Sequence, residues 1–240
     1  MKTPAVGIKN APPGLHSPQS YDMMKLRLVL ILLLFTASAG ILAWLYGAAT
    51  RPPRTVKASP WTETLADLDA CCRRKHVKSV QYDNFAAIAA GESRRDAERL
   101  FRAMAFSERL QEHDCAEVIV HLGGSYTPPA RIILFGGTTD DNLERSIACE
   151  LRSLGERQGA EIDRAMRKGN RYAARILARA AASDRRNAAL MEYCRRIGKH
   201  HPDSCRFFVC PECGNLYAAE YRDYYCPFCL TGSERFVRFE

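Results

Sequence analysis

Residues 82–113 read YDNFAAIAAGESRRDAERLFRAMAFSERLQEH, and the fold turns on them. On either side of Gly91, apolar residues recur at spacings of three and four, the mark of two helices that each carry one apolar stripe. Followed outward, the first stripe covers residues 62–90 through Leu65, Leu68, Cys72, Lys75, Ser79, Tyr82 and Ala86. The second covers about 93–122 through Ala97, Phe101, Met104, Glu108, Gln111, Cys115, Val118 and Leu122. Glu108 and Gln111 share the inner face. A histidine in place of Gln111 would complete Glu-x-x-His, a pattern that holds iron inside four-helix bundles.

Two more segments have the same period. Residues 140–166 align Leu143, Ile147, Glu150, Leu154 and Gln158. After a break near Gly169, residues 170–198 align Ala173, Leu177, Ala181, Asp184, Asn187, Met191 and Cys194. The connection between the two pairs is long. It holds Gly123, Gly124, Pro128, Pro129, Gly136 and Gly137 around the apolar run IILF. Two helical hairpins joined by a crossover predict a mostly α fold, a ferritin-like four-helix bundle over residues 62–200. Glu108, Glu150 and Asp184 fall on the apolar stripes of three different helices. Burying each carboxylate costs several kcal/mol unless a metal, a proton or a cation compensates. Lys75, on the first inner stripe beside His76, is the candidate internal cation. His113 and His121 read as surface or helix-end residues, and His200 and His201 as a solvated hinge.

The chain ends in a cysteine-rich unit, residues 205–240. It contains CPECGNLYAAEYRDYYCPFC, which pairs Cys210 with Cys213 and Cys226 with Cys229 across twelve intervening residues. Two such knuckles bring four thiolates to one ion, zinc or a single iron; two disulfides are the alternative, which the tight CPxC spacing disfavours. Four protein ligands leave no open position, so the site is structural or transfers electrons and is not hydrolytic. The other six cysteines (Cys71, Cys72, Cys115, Cys149, Cys194 and Cys205) have no regular spacing. Most lie within apolar helical patterns, where cysteine acts as a small hydrophobe, which favours a reducing compartment.

At the other end, residues 1–25 read as a polar, disordered tail and 26–49 as a transmembrane helix. From Leu28 to Ala49 there are 22 residues without a charge, enough to span a bilayer. Lys25 and Arg27 flank one end, Arg51 and Arg54 the other, so the positive charges do not orient it. A signal peptide cut after Ala37-Ser38-Ala39 is the alternative, and it implies export. Residues 50–61 form a linker. The free thiols favour a cytoplasmic folded part. The net charge of +8 is spread along helices rather than clustered with aromatics, which argues against a nucleic-acid partner.

Bundle, crossover and knuckles, in that order, resemble the rubrerythrin family over about residues 65–240. The opening stretch is similar to that family's Y-x-x-FA-x-IA…F-x-x-x-A-x-x-E-x-x-H helix pair. NLERSIACE (142–150) resembles the start of its third helix, and FFVCPECGNLY (207–217) the start of its rubredoxin-like tail. The resemblance implies a di-iron centre in the bundle that reduces hydrogen peroxide. Electrons would arrive through a one-iron four-cysteine site, in many members from the partner subunit of a homodimer. Position by position, this chain departs from that ligand set. Lys75 stands at the first-helix Glu, Gln111 and Asn187 at the two histidines, Asp184 at the fourth-helix Glu and Ser153 at a further third-helix Glu. Glu108 and Glu150 are kept. The resemblance therefore implies a degenerate di-iron site, with Glu108 facing Lys75, and an intact four-cysteine site holding iron or zinc. Such a protein would serve electron transfer, support a structure, or bind a redox partner near the membrane. One alternative is a working peroxidase whose Glu108, Glu150 and Asp184 hold a hard ion. Another is a zinc-ribbon adaptor that binds protein or nucleic acid through Arg164, Arg167, Lys168, Arg171, Arg175 and Arg179.

Overall fold

The computed structural model describes residues 18–49, 59–155, 157–198 and 205–240. Most of the expected polar tail, most of the linker, and His200 and His201 lie outside the described residues. The chain divides into two units, Met1–Lys57 and Ala58–Glu240. The first contains helix α1 (Pro18–Ala49), in which Met23–Gly47 is long and apolar enough to cross a membrane.

The second unit is built on α2 (Thr62–Gly91), α3 (Arg95–His121), α4 (Thr139–Gly155), α5 (Arg157–Arg167) and α6 (Arg171–Ile197). The segment expected as one helix over 140–166 is thus described as α4 and α5, on either side of residue 156. Helix α2 stops at Gly91, where Ser93 takes a left-handed φ of 58° and the chain doubles back into α3. Gly169, at φ 76°, makes the matching turn before α6. Asn170 then caps α6, its side-chain oxygen accepting from the Ala173 N–H at 3.0 Å. The crossover is pinned to α2. Gln81 exchanges two hydrogen bonds of 2.9 Å with the Phe135 backbone, and Asn84 donates a third to the Phe135 carbonyl.

The bundle core has two apolar ends with a polar band between them. One end gathers Tyr82, Phe85, Phe101, Met104, Leu143 and Met191, with the Phe85 and Phe101 rings 5.4 Å apart. The other gathers Leu68, Cys71, Cys72, Cys115, Ile119 and Leu177. The C-terminal module is a three-stranded antiparallel sheet of β1 (Phe207–Val209), β2 (Leu216–Ala218) and β3 (Val237–Phe239), in the order β2-β1-β3. Alternation along β1 splits its side chains between two cores. Phe207 and Val209, with Leu216 and Ala218 of β2, join the bundle's apolar end. Phe208 faces the cysteines instead, with Tyr217 and Phe236. The module therefore sits directly on α3 and α6 of the same chain.

Candidate metal centre

The two knuckles repeat one backbone pattern. Cys210 N–H donates to the Asn215 carbonyl and Gly214 N–H to the Cys210 carbonyl; Cys226 and Leu230 do the same toward Thr231 and Cys226, all at 2.8–3.0 Å. Gly214 and Leu230 hold equivalent left-handed positions, at φ 69° and 63°. Each knuckle thus aims its two sulfurs inward. Cys210 and Cys229 sulfurs are 3.4 Å apart, as are those of Cys213 and Cys226, and all four lie within 4.8 Å of one another. A tetrahedron with metal–sulfur bonds of about 2.3 Å has edges of about 3.8 Å, so the four sulfurs match one ion. Hydrogen bonds among the thiols push Cys210 and Cys213 up and Cys226 down, the mark of sulfurs packed closely enough to share protons. The stacked Tyr217 and Phe236 rings, 5.2 Å apart, pack beside the cluster.

The polar band of the bundle is the second constellation. Lys75 and Lys78 come from adjacent turns of α2, Glu108 from α3, Glu150 from α4 and Asp184 from α6. Lys75 Nζ lies 2.6 Å from Asp184 Oδ1 and 3.0 Å from Glu108 Oε2. The Glu108 contact is an ion pair by distance and not an aligned hydrogen bond. Lys78 Nζ contacts Glu150 Oε2 and stands 3.0 Å from Asp184 Oδ1. Three neutral donors complete the shell. The Tyr82 hydroxyl reaches Glu150 Oε1 at 2.6 Å, the Gln158 amide reaches Asp184 Oδ2 at 2.6 Å, and the Asn187 amide reaches Glu108 Oε1 at 2.9 Å. Each oxygen of all three carboxylates thus faces a donor. The amides present nitrogen to the carboxylates and leave Gln158 Oε1 and Asn187 Oδ1 buried without partners.

Charge decides how these groups ionise. Burial alone would lower both lysines, but Asp184 and Glu108 around Lys75, and Glu150 and Asp184 around Lys78, outweigh it and hold both ammoniums firmly charged. Asp184, opposed by burial but facing both ammoniums, is lowered to about 2. Glu108 is pushed up to about 7, because burial there outweighs the pull of the lysines. Burial, reinforced by Glu150, drives the Tyr82 hydroxyl well above its ordinary value and keeps it a donor. Two ammoniums against three carboxylates leave one negative charge over, and Glu108 is the carboxyl of the three that most readily takes up a proton.

A backbone carbonyl joins the two constellations. Gly214, next to the ligand Cys213, accepts from the Ser107 hydroxyl and, at 3.3 Å, from the Gln111 amide. Gln111 also donates to Ser183 Oγ at 2.7 Å. It stands where the resemblance calls for histidine, and its amide ties α3 to α6 and to the knuckle.

The structure brings together Lys75, Glu108, Glu150, Asp184 and Asn187 as the sequence stripes aligned them, with Gln111 one turn away. Ser153 is half-buried and donates to the Cys149 carbonyl of its own helix at 3.0 Å. His113 and His121 are exposed. Sequence reasoning missed Lys78. Its signal was available: Lys75, Lys78 and Tyr82 are spaced three and four apart, so all three share one face of α2.

No protein-family model matches the chain. Nigerythrin of Nitratidesulfovibrio vulgaris is 23% identical over 180 residues, which cover 73% of this chain and 86% of that protein. The solved structure of nigerythrin in its fully reduced, all-ferrous state aligns with a TM-score of 0.68 at 23% identity, over 79% of this chain and 91% of that one. A bacterioferritin of Mycobacterium tuberculosis aligns with a TM-score of 0.52 at 18% identity, over 60% of this chain and 91% of that one. The ferritin-like fold is common ground with nigerythrin over the aligned part of the chain.

Proposed function

We propose that this chain is a rubrerythrin-type electron-transfer protein that holds one metal at Cys210, Cys213, Cys226 and Cys229. In its bundle, Lys75 and Lys78 stand in place of a metal pair. The observation that carries this reading is the donor shell: each oxygen of Glu108, Glu150 and Asp184 faces an ammonium, an amide or a hydroxyl. A di-iron centre needs those lone pairs, and it needs imidazole nitrogens where this chain has amides turned as donors. The bundle residues do not fit such a centre, whereas the four sulfurs fit a single ion.

The solved nigerythrin is described as all-ferrous, which supports iron at the thiolates here. Iron held by four thiolates supplies one-electron transfer, and zinc there would make the module structural. The chain's own residues fix that module. Gly214 accepts from Ser107 and Gln111, so the knuckle is registered against the bundle. Residues 62–200 form the bundle and 205–240 the four-cysteine module. The apolar helix anchors the chain to a membrane with the folded part on the cytoplasmic side. A redox partner protein and a second copy are the expected partners, and nucleic acid is not.

Metal analysis of the purified full chain, with its absorption spectrum, tests the reading. One metal per chain is expected, with a red ferric-thiolate chromophore if it is iron. Two additional irons per chain would overturn the lysine-filled bundle. Retention in the membrane fraction after alkaline washing tests the anchor, and a mature N-terminus beyond Ala39 would refute it.

One observation favours a second reading. Carboxylate oxygens of Glu108, Glu150 and Asp184 lie within 4.8 Å of one another, a spacing that suits a hard divalent ion if the lysines move aside. That reading makes the protein a peroxide-reducing enzyme in oxidative-stress defence. NADH-coupled peroxide consumption, lost in Glu150→Ala, would support it. Activity unchanged by Glu150→Ala would exclude bundle chemistry.

A further inference from the structure

The apolar end of the bundle beyond Lys75 holds thiols that neither constellation uses. The Cys115 thiol on α3 donates to Cys71 Sγ on α2 at 3.3 Å, and both residues are buried. Cys72 is also buried and also lies close enough to Cys115 to raise its thiol, but its own thiol contacts the Glu112 carbonyl at 3.7 Å. Cys71 lies one turn before Lys75 and Cys115 one turn after Gln111, so the pair closes the end of the ammonium–carboxylate band. A cavity of about 10 Å³, roughly one water in size, is walled by Cys115 and by the knuckle ligand Cys213. Cys115 and the knuckle ligand thus share the lining of one small cavity with Gln111 and Asp114.

We propose that Cys71 and Cys115 form a dithiol–disulfide couple that holds two electrons at the end of the bundle beside the four-cysteine site. The sulfurs need close by only about 1.3 Å to reach a disulfide bond length of about 2.05 Å, a movement two side chains on neighbouring helices can share. With hydrogen peroxide as oxidant, one sulfur attacks the O–O bond. That bond breaks, water leaves with the thiol proton, and a sulfenic acid remains. The second thiol then displaces a second water as the S–S bond forms. Peroxide gains two electrons and each sulfur gives up one. The Cys115 hydrogen bond and burial raise the Cys71 thiol well above its ordinary range, while the Lys75 charge opposes them. The couple is therefore a slow one, and it admits only small oxidants. This inference holds whichever metal the knuckles bind.

The test uses the full chain loaded with zinc. The protein is treated with hydrogen peroxide, denatured in an alkylating reagent, digested and analysed by mass spectrometry. A reducible cross-link between the peptides of Cys71 and Cys115 is expected. Cys71 and Cys72 share a peptide, so Cys72→Ser must keep the link and Cys71→Ser must lose it. Full alkylation of Cys71 and Cys115 after oxidation would overturn the proposal, as would a link lost in Cys72→Ser and kept in Cys71→Ser. Fragmentation of the wild-type cross-linked peptide between Cys71 and Cys72 assigns the link without a variant, so a variant that fails to fold leaves the result standing. Oxidation of the knuckle cysteines would count against the one-metal reading and not against this couple.

Discussion

Glu108→Gln should make the protein more stable at pH 8. The structure holds this carboxyl at about 7 instead of the usual 4.5, because burial outweighs the pull of Lys75 and Lys78. A difference of that size corresponds to about 3 kcal/mol against the ionised form. A group raised above its unfolded value binds its proton more tightly when folded. Stability is therefore fully present below pH 4.5 and is lost as pH rises through about 7. The amide variant carries no charge to bury. Its oxygen can accept from Lys75, and its nitrogen can donate to Asn187 Oδ1, now without a partner, once the Asn187 amide turns over. Thermal unfolding of the full chain in detergent, followed by circular dichroism from pH 4.5 to 8, reads the effect. At pH 8 the variant is expected to unfold about 6 to 12 °C above the parent, with the gap closing toward pH 4.5. A variant less stable than the parent at pH 8 would refute the argument. It would mean that the ionised Glu108 is held by a charge stronger than the two lysines, as a bound metal would be.

Lys75→Glu should confer metal dependence on the bundle, because it leaves one ammonium among four carboxylates. Added Mn²⁺ or Fe²⁺ is expected to raise the unfolding temperature of this variant and to leave the parent unmoved. The two left-handed knuckle positions should respond in opposite directions. Gly214→Ala is expected to cost about 2 kcal/mol, because its φ is 69° and a methyl there would stand 2.8 Å from the Ser107 carbonyl. Leu230→Gly, at φ 63° with its side chain in solvent, is expected to gain about 1 kcal/mol. Denaturant midpoints of the metal-loaded chain measure both.

Helical periodicity made most of the fold readable. Lys75, Glu108, Glu150, Asp184 and Asn187 were placed on inner stripes by spacings of three and four, and the structure gathers all five. The paired CPxC knuckles were readable for a similar reason: a two-residue gap lets a local turn converge two sulfurs without any distant contact. Features that depend on where one helix lies against another were not readable. Lys78 shares a helix face with Lys75, but only the position of α4 pairs it with Glu150. Cys71 and Cys72 are equally apolar neighbours in sequence; the rotation of α2 against α3 sets the Cys71 sulfur 3.3 Å from Cys115, while Cys72, also near Cys115, takes the Glu112 carbonyl as its partner. The contact of Gly214 with Ser107 exists because the sheet docks on α3.

By itself, then, the sequence determined the helices, their inward faces and the four-thiol set, all governed by spacing along one chain segment. Only the tertiary structure decided that two ammoniums and three neutral donors surround the buried carboxylates. Ion pairs and hydrogen bonds depend on distances of about 3 Å between groups up to 109 residues apart. Packing sets those distances, and periodicity does not encode them.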